Sequence, residues 1–278
     1  MSETKNAMAR PVTARRWTGL MGAGVAVGIA VGGAAQGATA LAGAAPDRLW
    51  LVAGTEGGEG GEGGAAPISA DATVDLLVAL TKIEAHALTG LDLVAAGQAK
   101  AGAEQVHAAH AEIFEAIEPA LVERKAPLFE SDLRALTSAI DAGKDAAALT
   151  VAHEGLKAGL EAARTAIAPT PHDELAAVLA LTREAAEDFD KGVKDQKIAE
   201  MGEYQDARAY LLAATETLTR LSSSADTKVQ TAAKASAAAL APVIAGLAEV
   251  APSGAIAMDN ATILSAAARI ELASYPVK

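Results

Sequence analysis

The chain has no cysteine. That excludes disulfides, thiolate metal sites and thiol nucleophiles, and it is compatible with an oxidising compartment. Aromatic side chains are nearly as scarce, at 3% of 278 residues. A β fold of this length carries more aromatic and β-branched runs, so a sheet-rich architecture is disfavoured. Enzyme signatures are missing too. No Gly-rich phosphate loop follows a strand, no G-x-S-x-G occurs, and no nucleophile–base or acid–base pair is visible. A non-enzymatic protein is the expectation, with redox chemistry at a bound cofactor the one enzymatic form left open.

Positive charge is also in short supply, with 23 Lys and Arg against 35 Asp and Glu, a net charge of −12. Such a surface repels phosphate backbones, so nucleic acid is excluded as a partner, while cations are attracted.

What is present is alanine, which supplies much of the 51% apolar content. Alanine is the best helix former, and the composition points to helices packed closely through small side chains. The first 40 residues read as a signal peptide. Lys5, Arg10, Arg15 and Arg16 form a positive leader, and Trp17 to Ala35 is uncharged. Ala38-Thr39-Ala40 and Ala42-Gly43-Ala44 then fit the small-residue cleavage rule. An uncleaved anchor is the alternative, but glycines 19, 22, 24, 28, 32 and 33 weaken it. The arginine pair 15–16 also leaves twin-arginine export open beside the general route. The expectation is a periplasmic or secreted protein with no stable membrane span after cleavage. Removing residues 1–40 takes away four bases against one acid (Glu3), so the net charge becomes −15.

Residues 41–68 read as a linker, because 54–66 consist of Gly, Glu, Ala and one Thr and offer nothing to bury. From 69 to 278 the pattern is helical. Eight helices are predicted: about 71–95, a second that follows the turn at Gly97 and runs to about 117, 128–142, a fourth after Gly143 running to 168, a fifth from Thr170 with a stripe reaching Phe189, then 194–221, 227–249 and 261–274, with ends placed to about two to four residues. The fifth has the clearest start, with Thr170 as cap, Pro171 at the first helical position and acidic Asp173 and Glu174 behind it. Pro119 is expected to kink or restart the second. Short connections make this an all-α antiparallel helical bundle. Leu80-Thr81-Lys82 resembles Leu181-Thr182-Arg183, and Val106, His110, Ile113 and Phe114 fall on Tyr204, Arg208, Leu211 and Leu212 at an offset of 98. Two pseudo-repeated four-helix units, 69–169 and 170–278, are therefore one arrangement to test.

Polar residues on apolar faces are the candidate functional residues. His110 sits within the second helix's stripe, between Val106 and Ile113, with His107 at its edge. On the first helix Glu84 projects into the apolar arc, and His86 lies on its flank. With the turn centred on Gln98, His86 and His110 stand level, about 18 Å from it at 1.5 Å per residue. Two histidines and a carboxylate between facing helices is how bundles build metal sites, and an imidazole equally serves as an axial haem ligand. His86, His107, His110 and Glu84 are thus candidate ligands for a transition-metal ion or haem. The competing reading makes each a hydrogen-bonded core residue; His153 is read that way, and His172 as exposed.

On the sixth helix, Arg208 and Tyr204 share a face with Leu211 and Leu212. A buried guanidinium needs a carboxylate, for which Glu84, Glu187 and Asp188 are candidates. The pair either docks the two halves, or, with Tyr204, it binds an anion or a cofactor carboxylate.

An exported, Ala-rich helical body with scattered histidines resembles, as a class, the imelysin-type periplasmic metal-binding bundles. Their Gly-x-His-x-x-Glu motif is absent, since Glu84-Ala85-His86 has the wrong order, so no residues carry over. Two functions of different kinds remain. One is an extracytoplasmic protein binding a metal ion or haem through the first helical hairpin. The other is a structural or protein-interaction bundle whose acidic surface meets a protein partner.

Overall fold

A computed structural model describes residues 71–277. The expected signal peptide and linker lie outside the described residues. Within them the chain is all-α, with eight helices packed as a bundle. Helix α1 is Ala72–Ala95, and its cap Asp71 accepts a hydrogen bond from the Thr73 amide at 2.7 Å. Helix α2 is α-helical over Ala99–Ala108, widens to a π-helical stretch over Ala109–Phe114, and continues as α-helix over Glu115–Glu123. Then come α3 (Glu130–Asp141), α4 (Ala146–Ile167), α5 (Pro171–Gly192), α6 (Met201–Leu221), α7 (Thr227–Gly246) and α8 (Asn260–Ser274). No helix among the described residues is long and apolar enough to cross a membrane.

Helices α5 to α8 form a four-helix bundle in which α5 packs on α6 and α8, and α7 on α6 and α8. The start of α5 obeys its sequence. Thr170 and Asp173 form a reciprocal capping box, each side chain bonding the other's amide, with Pro171 at the first helical position. Helix α1 is apolar on two sides. Leu76, Leu80, Ile83 and Ala87 face a core shared with α2, α3 and α4. Val74, Leu77, Val78 and Ala85 face a second core, shared with α5 to α8. A helix apolar on both sides is buried on both sides. So α1 is the wall common to the two halves, although the chain turns between them at Ala168 (φ 53°).

Two expectations need correcting. The sixth helix begins at Met201, not near Lys194. Val193–Lys194 and Lys197–Ile198 form a small antiparallel hairpin instead, turning through Asp195 and Gln196, both at positive φ (50° and 60°). Two successive left-handed residues are the geometry of the tight hairpin turn that matches strand twist. Glycine at the end of α5 lets the first turn of α6 approach, because a Cβ on Gly192 would fall 2.5 Å from the Tyr204 amide nitrogen.

The centre of the α1–α2 turn is the second correction. A Cβ on Gly102 would lie 2.4 Å from the Gly90 carbonyl oxygen, and one on Gly90 would lie 2.8 Å from that of Gly102. The helices touch backbone to backbone at this pair, which is symmetric about residue 96 and not 98. Moving the centre by two residues moves every partner by four. His86 therefore meets Gln105, and His110 lies a turn beyond it.

The π-helical stretch displaces His110 further. A π-turn inserts one residue, so the helix beyond it is rotated out of its α-helical phase. Ala109 and Phe114 take the buried positions, while His110 remains partly exposed. The helix then runs through Pro119 to Glu123 without a new start.

Candidate functional site

Three helices each bring two polar side chains, four residues apart, to one cluster beside the wall helix. They are Lys82 and His86 of α1, Glu184 and Asp188 of α5, and Asp206 and Tyr210 of α6. A spacing of four puts both members of each pair on one helix face. Helix α2 closes the side with Gln105.

His86 is 7% exposed and fully engaged. Its Nδ1 lies 2.6 Å from Gln105 Oε1, and its Nε2 lies 3.4 Å from the Tyr210 hydroxyl. Gln105 Nε2 donates to Gln205 Oε1 at 3.4 Å, and Gln205 Nε2 donates to the Val250 carbonyl at 3.2 Å. Each hydrogen bond in this chain pairs a donor with an acceptor when the His86 proton is on Nδ1 and Tyr210 donates to Nε2. Burial lowers the imidazole pKa, and the Gln105 bond opposes that shift.

In this cluster the carboxylates Glu184, Asp188 and Asp206 outnumber the lysines Lys82 and Lys191. Lys82 donates to Glu184 Oε1 and lies 5.0 Å from the centre of the Tyr210 ring. Lys191 holds Asp188 at 3.1 Å. Among the described residues, Asp206 forms its ion-pair contact with His86 and with no lysine or arginine. Burial first, then the charge of Glu203, raises its pKa to about 7; Lys82 opposes this, and Glu112 and Glu184 add to it. Its Oδ1 lies 3.7 Å from His86 Nδ1, too far for a hydrogen bond. Asp206 Oδ1 and Glu184 Oε2 are both buried atoms without a hydrogen-bond partner among the described residues. Buried polar atoms are nearly always satisfied, and exceptions commonly mark a water or an ion.

The other residues singled out from the sequence stand apart. His110 stacks on Phe114 with ring centres 5.9 Å apart, and its Nε2 lies 3.0 Å from Glu130 Oε1. His107 is exposed, on a groove of about 660 Å³ between α2 and α3 that also exposes Glu104, Glu112 and Asp141. Glu84 faces Arg164 at 3.8 Å on the far side of α1, and burial raises its pKa, with Arg164 opposing. His153 is half-buried and His172 is exposed, with its Nδ1 2.9 Å from the Val277 carbonyl oxygen. Among the described residues, no three His, Asp or Glu side chains form a ready-made metal cage.

Arg208 pairs with none of the three carboxylates expected for it. It reaches Asp92 of α1 at 2.9 Å and the Leu247 carbonyl at 3.1 Å. The Tyr204 hydroxyl donates to the Glu249 carbonyl at 2.9 Å. With Gln205, these side chains clasp the segment between α7 and α8, and the ion pair with Asp92 ties α6 to the wall helix.

Lys82, Gln105, Glu184 and Asp206 do not stand out in the sequence as site residues. The signal it holds for them is the repeated four-residue spacing of polar side chains on α1, α5 and α6. Only a knowledge of which faces meet distinguishes that spacing from an ordinary solvated face.

The α5–α8 bundle, which supplies Glu184, Asp188, Asp206 and Tyr210, has a known counterpart. Residues 166–276 match the iron permease-associated 4-helix bundle domain. The match covers all four helices of that bundle and leaves α1 to α3, and all but the last two residues of α4, outside it. No curated protein and no solved structure matches the chain.

Proposed function

We propose that this chain is an extracytoplasmic accessory bundle of an iron-transport system. It takes up an iron ion at the carboxylates where α1 and α2 meet α5 and α6. The observation that carries this reading is the pair of buried, unpartnered carboxylate oxygens, Asp206 Oδ1 and Glu184 Oε2. Both belong to the half that is similar to an iron permease-associated domain. Carboxylate oxygen is a suitable ligand for iron, and the surplus of acids around Asp206 favours any cation that enters. Hard oxygen donors also favour a bare ion over haem. Of the four candidate metal ligands read from the sequence, His86 is the one at this place, engaged with Gln105 beside Asp206. Its part is to orient that wall, and to become a ligand if it releases Gln105. The basic leader and the uncharged run before residue 40 support a position outside the cytoplasm.

Anaerobic titration of the full chain with Fe²⁺, monitored by calorimetry, tests the reading. One ion per chain is expected, with affinity falling about a hundredfold or more in Asp206→Asn/Glu184→Gln. That is the loss of two charged ligands, each worth a factor of about ten or more at about 1.4 kcal/mol per decade. No binding by the native chain, or equal binding by the variant, contradicts it.

A second reading, a protein-interaction bundle, is favoured by one feature. Leu264, Leu272 and Tyr275 are exposed along one side of α8 and just beyond it, at 53%, 76% and 73%. A permease or another protein partner docking there is compatible with iron uptake at these carboxylates.

A further inference from the structure

Helix α8 buries Ile263, Ala266, Ala267 and Ile270 in the bundle. Its opposite side carries Ala261, Leu264, Ala268, Leu272 and Tyr275, all exposed. Tyr275 continues the helical course, at φ −54° and ψ −37°. With 3.6 residues per turn these five lie within about 80° of one another, so they form one stripe along the helix. Single exposed leucines are ordinary, but an apolar stripe on a chain of net charge −12 is not. Residues 235–268 carry two charges, Glu249 and Asp259. On α7, which packs beside α8, the exposed residues from 235 onward are Ala235, Ala238, Ala241, Pro242, Ala245 and Gly246. Whichever of them adjoin α8, they extend an uncharged surface. By contrast, α5 exposes Arg183, Glu187 and Asp190.

The stripe reads the same in both directions. Its spacing is 3-4-4-3, centred on Ala268. Two copies of α8 laid antiparallel across a two-fold axis at Ala268 put Leu264 of one against Leu272 of the other. They also put Tyr275 over Ala261, a large side chain on a small one. Each contact then occurs twice, which is the self-complementary pattern of a two-fold dimer. Alanine on the axis lets the two helices come close. Glu271 is already held by Arg183 at 2.7 Å, and Arg269 points about a quarter-turn off the stripe, so pairing buries no lone charge of α8. Two acidic copies repel each other elsewhere, and they meet where charge is missing.

We infer that this chain pairs with a second copy of itself through α8, antiparallel about a two-fold axis at Ala268. The inference rests on the protein-interaction reading of this helix, names its partner, and is separate from iron uptake. Two adjoining helices, each about 10 Å wide and about 22 Å long, offer on the order of 450 Å² per copy. That is roughly half the ~800 Å² per partner of a standard interface, so the dimer is weak and depends on concentration.

Sedimentation equilibrium of the full chain from about 1 to 100 µM spans the dissociation constant, on the order of 10 µM, expected of such a contact. The native chain is expected to pass from monomer to dimer over that range. Leu272→Glu sets a charge against Leu264 of the other copy, twice per dimer. It is expected to weaken pairing about a hundredfold, a factor of about ten at each of two equivalent contacts. Leu272 is 76% exposed, so the variant keeps the native circular dichroism spectrum. A chain that stays monomeric throughout overturns the inference and returns α8 to a different protein partner. A dimer that Leu272→Glu leaves intact overturns it as well. A second measurement reads the axis. The chain has no cysteine, so Ala268→Cys supplies a single thiol. In air it is expected to form a disulfide between copies about ten times faster than Ala162→Cys, at an exposed position of α4, because paired thiols react at a raised effective concentration. Equal rates overturn the inference. Neither measurement uses iron, so failure here leaves the iron reading standing.

Discussion

Gly102→Val is expected to destabilise the fold by about 3 kcal/mol, in the upper range for overpacking a tight contact. For a domain of this size, that lowers the melting temperature by roughly 6–12 °C. Thermal unfolding monitored by circular dichroism measures it. The expectation stems from the crossing of α1 and α2, where a Cβ on Gly102 meets the Gly90 carbonyl oxygen at 2.4 Å and Val94 Cγ2 at 2.9 Å. Backbone cannot rotate away as a side chain does, so the helices must separate. Gly155→Ala is the control. It also lies within a helix, but its nearest neighbour, an Asp132 carboxylate oxygen, is at an ordinary 3.6 Å. It is expected to stabilise by about 0.5–1 kcal/mol through helix propensity alone. The Gly90–Gly102 crossing also sets which residue of α2 faces His86, so Gly102→Val disturbs the polar cluster as well as the core.

The native chain is expected to lose stability as pH rises from about 5.5 to 8. Asp206 has a folded pKa of about 7, well above the 3.8 of an ordinary aspartate. Between those values the folded state holds a proton that the unfolded state has released, so raising the pH favours unfolding. Asp188 shifts in the same direction through burial, with Lys191 opposing. His86 works the other way. Its pKa is lowered from 6.5, so its contribution is lost as pH falls below that value. Above about 6.5 only the carboxyls remain to titrate. The groups acting on Asp206 are Lys82 and His86 from α1, Glu112 from α2, Glu184 from α5 and Glu203 from α6. Asp206→Asn removes the ionising group. It is expected to flatten the pH profile and to gain on the order of 1–2 kcal/mol over the native chain at pH 8, discounted from the full shift because the carboxylate is partly exposed. Urea unfolding at pH 5.5 and pH 8 checks this. A variant that gains stability while losing iron is the mark of a residue kept for binding and not for folding.

Local features of the sequence foretold the helices and their ends well. Thr170, Pro171 and Asp173 announce α5 because capping is a contact among near neighbours. Gly97 and Gly143 mark helix ends because each adopts a positive φ, 78° and 59°. The stripe of α1 from Leu76 to Ala87 was equally legible. Its second apolar face was not, since the same residues fit a one-sided helix until the other half of the chain supplies a second core. The hairpin at 193–198 escaped notice because Gln196 does not advertise a left-handed conformation. Within the site, what escaped was register. Asp92 and Arg208 are 116 residues apart, and His86 meets Gln105 only because the turn centre falls at residue 96. A shift of two residues in the centre of one hairpin separates a histidine pair from a hydrogen-bonded chain, and nothing local to either helix encodes it.

Anomalous diffraction at the iron edge, from crystals of the full chain grown with iron, tests the central claim most directly. One peak is expected, bonded to Asp206 and Glu184. A peak held by His107, by His110 or by Glu84 instead, or no peak in iron-loaded crystals, contradicts the account.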